Sequence, residues 1–132
     1  MRAPDCRSSV PGPRREFEWR AGFQIVEEKL VYMLTGITRG RLPALQLGPL
    51  KDAGTVRFSQ LSLSKRDAVS VALEVARMAR DILRDKGISL ESPVTRHVCN
   101  LESVRTCEGT HDIHDLIPGE AITGIPAFGG IT

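Results

Sequence analysis

Apolar side chains recur every three or four residues along several stretches of the chain, which is the spacing of one face of an α-helix. In the first stretch, which begins at Phe23, this stripe consists of Val26, Leu30, Met33, Leu34 and Ile37. In the second stretch it is rich in alanine and consists of Ala68, Ala72, Val75, Ala79, Ile82 and Leu83. Because small side chains permit a close approach, the first two helices are predicted to pack against each other through these stripes.

Prolines and glycines indicate where the helices begin and end. Pro43 lacks a backbone N–H, so we expect it to kink or end the first helix, with residues 47–55 forming a loop. The second helix is expected to end before Gly87, and Pro93 suits the first turn of a third helix. The apolar positions of this third helix are Val94, Val98, Leu101 and Val104.

A fourth helix is predicted from His111 to Ile122, because apolar spacing resumes there and Thr110 is a good N-cap. Gly109 interrupts the helical pattern, so Glu108 is expected to lie in a break between two helices. No stretch alternates between apolar and polar residues as a β-strand would. The predicted fold class is therefore all-α, an antiparallel four-helix bundle with short loops.

Composition restricts the functions that such a bundle could have. The chain has 132 residues, of which 41% are apolar and 26% charged, as expected for one globular domain. Its net charge of +2 comes from basic and acidic residues spread along the chain, which argues against nucleic-acid binding. No apolar run approaches the roughly eighteen residues that a membrane span needs. The three cysteines form no CxxC pair, which argues against a zinc finger or a disulfide framework and favours a reducing compartment.

Titratable side chains concentrate in the stretch TCEGTHDIHDL, and residue chemistry leaves three interpretations of it open. His111 and His114, three residues apart, could bind a metal together with Cys107 or Glu108. Alternatively, Glu108 and Asp112 are solvated charges near a helix N-terminus, where the macrodipole favours acids, and His114 lies on the helix surface. In the third interpretation, Glu108 is a catalytic base that faces a bound ligand from a glycine-flanked break.

This stretch continues as CEGTHDIHDLIPGEAITGIPAF and follows RHVCNLESVRT, while LQLGPLKD, the Lys65–Arg66 pair and ARDIL stand earlier in the chain. In these motifs the chain resembles the C-terminal helical domain of acyl-CoA dehydrogenases, and most of all the glutaryl-CoA dehydrogenase branch of that family. The resemblance extends over residues 24–128. We therefore expect residues 23–132 to form the family domain, and residues 1–22, which contain prolines and arginines, to be a poorly ordered segment outside it.

The resemblance implies a role for each residue of the candidate site. Glu108 aligns with the glutamate that removes the pro-R α-proton of an acyl thioester, while the β-hydrogen leaves as hydride to the flavin of FAD. Gly109 would lie along the substrate. The positions that would contact FAD are Gln24, Gly87, Thr110, His111, Asp112 and Phe128. No metal is implied.

Partners and a location are also implied by the resemblance. A complete enzyme would oxidise and decarboxylate glutaryl-CoA to crotonyl-CoA, within lysine and tryptophan degradation, and would pass electrons to electron-transfer flavoprotein. It would bind its acyl-CoA substrate as a homo-oligomer, a tetramer, in the mitochondrial matrix. Neither nucleic acid nor a membrane would be a partner.

The sequence also departs from the family pattern. A glycine-rich GGNG turn is RDKG here, so Arg84 and Asp85 replace glycines, and Lys86 an asparagine, where the family's backbone approaches the FAD of a neighbouring subunit. Cys107 replaces the aromatic residue that precedes the glutamate. The family's N-terminal helical domain and middle β-domain have no counterpart in this chain, so we expect the isolated chain to be an inactive fragment. The alternative is a non-catalytic helical module for oligomerisation or interaction.

Overall fold

The computed structural model describes residues 21–128, which form helices and no strand. The helices are α1 (Gln24–Asp52), α2 (Phe58–Leu83), α3 (Asp85–Ile88), α4 (Val94–Thr106) and α5 (His111–Thr123). The all-α fold class is confirmed, and the four long helices are those that the apolar spacing predicts. The short helix α3 was not predicted from the sequence. Residues 1–20 of the expected poorly ordered segment lie outside the described residues.

α1 continues through Pro43 and Pro49 as far as Asp52, so Pro43 does not end the helix, one of the two outcomes expected for it, and the loop expected over residues 47–55 is wrong. A proline inside a helix costs about 3 kcal/mol, because it removes a hydrogen bond and its ring clashes with the preceding turn. Contacts with α2 on both sides of Pro43 offset this cost. Gly36 is buried before it, and Leu47 is half-buried beside α2 after it. Only residues 53–57 separate α1 from α2.

α1 and α2 are antiparallel neighbours, as the bundle prediction requires. The Tyr32 hydroxyl donates to a Glu74 carboxylate oxygen over 3.0 Å. Seven residues later in α1, and seven earlier in α2, Arg39 pairs with Asp67 at 3.2 Å. The two polar pairs therefore fix both the direction and the register of the helix pair.

The face of α1 that contacts α2 is rotated from the predicted stripe. Leu34 and Ile37 belong to that stripe, yet 66% and 43% of their surfaces are exposed. Gly36 is buried instead, and a Cβ atom there would lie 2.9 Å from Val71 Cγ1. The contact between the first two helices is confirmed, but the missing side chain of Gly36, rather than the largest apolar residues, sets where they approach most closely.

α2 is the centre of the domain, because α1, α4 and α5 each pack mainly against it. Its buried residues are Ser62, Val69, Val71, Leu73 and Ile82. α4 lies beside the C-terminal half of α2, where Arg77 pairs with Glu102, and α5 lies beside the N-terminal half, where Arg66 pairs with Asp115. Within residues 21–128, no helix combines the length and apolarity that crossing a bilayer requires.

Candidate active site

The break between α4 and α5 forms a sharp turn, here called the glutamate turn and consisting of Cys107, Glu108 and Gly109. α4 ends as the Cys107 N–H donates to the Ser103 carbonyl at 2.9 Å. The next two residues have positive φ angles, 55° at Glu108 and 93° at Gly109. A positive φ is unusual for a residue with a side chain. The predicted break is confirmed, and the side chain of Glu108 is exposed on it.

Lys65 of α2 binds all three carbonyls of the glutamate turn. Its Nζ lies 2.6 Å from the oxygen of Cys107, 2.9 Å from that of Glu108 and 3.0 Å from that of Gly109. An ammonium group has three N–H donors, so one donor is available for each carbonyl. Hydrogen bonds from a charged donor are also stronger than neutral ones. The backbone of the turn is thus attached to the central helix.

The first turn of α5 follows directly. Thr110 has an extended backbone, and its hydroxyl accepts a hydrogen bond from the Ile113 N–H at 3.4 Å, so the predicted N-cap is confirmed. Asp112 is exposed in this first turn, where a negative charge interacts favourably with the helix dipole. Thr110 and Asp112, two of the six positions that the resemblance assigns to FAD, therefore lie within four residues of Glu108 in the chain.

The two histidines of this region point to different partners. His111 Nε2 lies 3.3 Å from the Ser70 hydroxyl of α2. His114 Nε2 lies 3.3 Å from the Glu108 carbonyl, and its ring occupies the space beside Gly109, where a Cβ atom would be only 2.9 Å from Nε2. His114 is half-buried, which does not favour the one of the three interpretations that places it on the helix surface.

His114 contributes one further feature, a buried Nδ1 atom for which the described residues provide no hydrogen-bond partner. Donation from Nε2 to the Glu108 carbonyl places the imidazole proton on Nε2 and leaves Nδ1 as an acceptor. Over residues 21–128, no three His, Cys, Asp or Glu side chains come together as metal ligands. The metal interpretation of His111 and His114 therefore has no complete ligand set in this region.

Gln24 and Gly87, two other positions assigned to FAD, lie far from the glutamate turn. Gln24 begins α1 and is exposed, and Gly87 lies in α3, just beyond the C-terminal end of α2. From Lys65 to that end, α2 rises roughly 27 Å at about 1.5 Å per residue. Phe128 is exposed beyond α5. The structure thus brings together residues 108–112 and places Gln24 and Gly87 at the opposite end of the long helices.

Gly87 is buried against its own chain. A Cβ atom there would lie 2.4 Å from the Arg80 carbonyl oxygen and 3.0 Å from its Cα, so only glycine fits. The Gly87 carbonyl accepts a hydrogen bond from the Thr95 hydroxyl at 2.6 Å, which connects α3 to α4. The close packing of α3 on α2 therefore requires glycine at this position, whether or not a ligand binds there.

Sequence reasoning missed the contributions of Lys65 and Ser70 to the site. Lys65 stands in one of the motifs that carry the family resemblance, but 43 residues separate it from Glu108, and no local pattern connects the two. Ser70 is one polar residue among the small residues of α2. Only the packing of α4 and α5 on α2 brings either side chain to the site.

Comparison with known proteins relates this arrangement to one family. The family model described as "Acyl-CoA dehydrogenase, C-terminal domain" matches residues 12–123. A crystal structure of glutaryl-CoA dehydrogenase from Mycobacterium smegmatis superposes with a TM-score of 0.79 and 49% identity, over 82% of this chain and 28% of its own. A glutaryl-CoA dehydrogenase from the same organism in complex with FADH2 gives a TM-score of 0.79 and 44% identity, with the same coverage.

A more distant relative is the short-chain specific acyl-CoA dehydrogenase of Megasphaera elsdenii. It is 29% identical over 100 residues, which are 76% of this chain and 26% of that protein. The chain therefore spans about a quarter of the length of the relatives it matches. The family match includes residues 12–22, so the domain boundary expected at residue 23 stays a prediction.

Proposed function

Because the chain belongs to the acyl-CoA dehydrogenase family, we propose that it supplies the catalytic-base domain of an FAD-dependent dehydrogenase that acts on glutaryl-CoA. One observation carries the proposal: Glu108 is exposed on a turn whose three carbonyls bind Lys65. A base that removes an α-proton must be accessible to substrate and held at a fixed position. An exposed carboxylate on an anchored backbone meets both requirements.

The choice of glutaryl-CoA as substrate rests on the solved structures that the chain resembles. Identity is 49% and 44% to the two glutaryl-CoA dehydrogenases, against 29% to the short-chain enzyme. In the proposed reaction, the Glu108 carboxylate takes the α-proton of the thioester, with Gly109 along the substrate. Once the β-hydrogen has also left as hydride, loss of CO2 from the unsaturated thioester and protonation of its γ-carbon would give crotonyl-CoA.

FAD is the cofactor that this proposal requires, and when bound it supplies the acceptor for the β-hydrogen as hydride. The residues that would border it are Thr110, His111 and Asp112, which adjoin Glu108 and begin α5. Gln24 and Phe128 are exposed and therefore accessible to a cofactor. The separation of Gln24 from Glu108 supports contact with a second FAD molecule, that of a neighbouring subunit. Gly87 fits this role less well, since the space beside its Cα is filled by Arg80.

The other partners of the complete enzyme follow from the same proposal. Electron-transfer flavoprotein would reoxidise the cofactor, and a homotetramer in the mitochondrial matrix would be the working form. Since the chain covers 28% of the solved relatives, most of their length has no counterpart in it. We propose that the isolated chain lacks dehydrogenase activity and binds neither FAD nor acyl-CoA tightly, because a partial site must order the cofactor with fewer contacts.

A domain exchange tests the catalytic role of Glu108. The matching C-terminal domain of the Mycobacterium smegmatis enzyme is replaced by residues 24–132 of this chain, and FAD content and glutaryl-CoA-dependent dye reduction are measured. We expect a yellow, active chimaera, and loss of at least about a hundredfold in kcat on Glu108→Gln, since the amide cannot accept the proton. Glu91→Gln is the matched control, because it removes the charge of an exposed carboxylate between α3 and α4, outside the candidate site.

A folded, FAD-containing chimaera in which Glu108→Gln keeps full activity would reject the proposed base. For the isolated chain, fluorescence titration with FAD should show no binding at micromolar concentration. Tighter binding would place the cofactor affinity within this domain and contradict the expected division of the site.

A second candidate function is self-association without catalysis, and the exposed face of α1 favours it. Four apolar residues on this face are between 61% and 66% exposed, namely Val31, Leu34, Leu42 and Leu45. Their positions are symmetric about Thr38, so an antiparallel second copy of α1 would place Val31 opposite Leu45 and Leu34 opposite Leu42. Such an isologous contact is what a two-fold dimer needs.

Light scattering after size-exclusion chromatography tests this second function on the 132-residue chain. We expect a dimer that Leu42→Glu converts to a monomer, because the substitution places a charge in the centre of the apolar contact. Ile122→Glu is the control, since Ile122 is 82% exposed on α5. A monomeric parent chain, or equal dissociation by both substitutions, would reject the α1 interface.

A further inference from the structure

We propose that Lys65 is a positioning residue, which fixes the backbone of the glutamate turn and thereby the direction of the Glu108 carboxylate. The inference rests on the proposed role of Glu108 as the base. Its starting point is that one side-chain nitrogen lies within 3.0 Å of three consecutive carbonyl oxygens. A surface lysine normally has a hydrated ammonium group on a flexible stem. Here the ammonium replaces that hydration by backbone acceptors from a single turn.

The convergence of the three carbonyls depends on the shape of the turn. Successive carbonyls point to opposite sides in an extended strand, and in an α-helix they all point along the axis from positions about 100° apart around it. They can meet at one atom here because Glu108 and Gly109 both have positive φ angles. Lys65 therefore stabilises a backbone conformation that is uncommon for a residue with a side chain. Without the ammonium group, the negative ends of three carbonyl dipoles would face one another.

The anchor for this contact is α2, the central helix against which α1, α4 and α5 all pack. Lys65 is half-buried on α2, between the buried residues Ser62 and Val69. The adjacent Arg66 forms an ion pair with Asp115 of α5. Two neighbouring residues of α2 thus attach the glutamate turn and the helix that follows it. Together they define where the Cα–Cβ bond of Glu108 points.

His114 closes the opposite side of the turn and cannot replace Lys65. Its Nε2 reaches only the Glu108 carbonyl, at 3.3 Å, and its ring packs beside Gly109. An imidazole offers one donor in a fixed plane, whereas the ammonium offers three. Arginine at position 65 would keep the charge, but its planar fork cannot direct its donors to three oxygens around one point.

Two measurements on the 132-residue chain test the positioning role. Amide ¹⁵N relaxation gives the order parameters of Glu108 and Gly109, and hydrogen exchange of Val71 and Leu73 reports on the global fold. In Lys65→Met, which keeps the stem, we expect the turn's order parameters to fall from about 0.85 to below about 0.6. Core exchange should change less than about twofold, because the core of α2 is separate from the turn. Lys65→Arg should give intermediate values.

Lys29→Met is the matched control, because Lys29 of α1 also reaches across to α2, where its Nζ lies 3.9 Å from Asp81. It should leave the glutamate turn unchanged. Unchanged order parameters in Lys65→Met would overturn the proposal. Core exchange that accelerates as much as the turn loosens would also overturn it, since Lys65 would then stabilise the whole fold rather than the turn.

The chimaera separates this inference from the proposed catalytic function. Lys65→Met should lower kcat by about tenfold to a hundredfold with little change in KM, as expected when a reacting group is misplaced. Lys65→Arg should recover part of the loss. If Glu108→Gln is inactive while Lys65→Met keeps full kcat, the positioning role fails and the catalytic role stands. If Glu108→Gln itself stays active, the catalytic role fails, and the relaxation data alone decide whether Lys65 fixes the turn.

Discussion

Arg84 and Glu108 are the two residues other than glycine with positive φ in the described part of the chain. Different contacts stabilise the two turns in which they lie. The Glu108 backbone is bound by Lys65 and borders His114. Arg84 is exposed between α2 and α3, at φ 54° and ψ −126°, a conformation typical of glycine. The turn at Arg84 is stabilised by the close packing of Gly87, three residues later, against the backbone of Arg80.

The comparison shows two relations between sequence and backbone shape. At Glu108, a strained backbone presents an exposed carboxylate, and the structure holds it with a charged side chain from another helix. At Arg84, the backbone adopts a conformation typical of glycine, and Gly87 packs α3 closely on α2 just after it. Strain at the first turn serves the proposed chemistry, whereas strain at the second accompanies the packing of α3.

The largest change in the free energy of unfolding is expected on substitution of Gly87. Gly87→Ala should lower the free energy of unfolding by about 3 kcal/mol, because the added Cβ meets the Arg80 carbonyl at 2.4 Å and neither backbone segment can move freely. Urea denaturation followed by circular dichroism measures this change. Gly119→Ala is the control: it is helical, a Cβ there meets nothing within 4 Å, and it should stabilise the chain by about 0.5–1 kcal/mol. Equal effects at both positions would show that packing does not require Gly87.

Substitution of Arg84 by glycine is expected to give a smaller change in the free energy of unfolding, of opposite sign. Arg84→Gly should raise the free energy of unfolding by about 1 kcal/mol, because glycine adopts this φ and ψ without strain. Arg84→Ala should change it by less than about 0.5 kcal/mol, since alanine keeps the Cβ atom that causes the strain. The same denaturation measurement applies. If alanine stabilised the chain as much as glycine, the side chain of Arg84 rather than its backbone would be the source of the cost.

Removing the charge of Glu108 should affect stability even less. Glu108→Gln should leave the free energy of unfolding within about 0.5 kcal/mol of the parent, because the carboxylate is exposed and the carbonyl that binds Lys65 is retained. Glu108→Gly should stabilise by up to about 1 kcal/mol by relieving the positive φ. Thermal melting checks both variants. A marked loss of melting temperature in Glu108→Gln would instead identify a structural carboxylate and remove the contrast with Arg84.

Local patterns predicted the helices and the break at Glu108, but not the contacts that give each turn its role. Thr110 and Gly109 indicate a helix start and a helix break by themselves. The persistence of α1 through Pro43 depends on α2, which no local proline rule includes. The contact face of α1 follows from a missing side chain at Gly36, whereas periodicity favoured Leu34 and Ile37. Lys65 reaches the glutamate turn across 43 residues of sequence, so only the folded chain reveals it.

The smallest expected effect is on the pKa of Tyr32. This pKa also reports whether the turn variants leave α1 and α2 in their relative positions. The hydrogen bond that Tyr32 donates to Glu74, together with the negative charge of that carboxylate, raises the pKa of the phenol above its ordinary value of 10.0, although Arg39 acts in the opposite direction. The folded chain therefore favours the protonated phenol. This contribution to stability is fully present below pH 10 and is lost as the pH rises through the raised pKa.

Tyr32 is the only tyrosine of the chain, so ultraviolet absorbance of tyrosinate follows this group alone. Glu74→Gln should lower the pKa of Tyr32 towards 10, because the charge and the strong acceptor are lost. In Arg84→Gly, Glu108→Gln and Lys65→Met the pKa should stay as raised as in the parent, since α1 and α2 keep their register through the Tyr32–Glu74 and Arg39–Asp67 pairs. A lowered pKa in any turn variant would mean that the change spreads to the α1–α2 pair. The two turns could then no longer be compared as local features of one rigid scaffold.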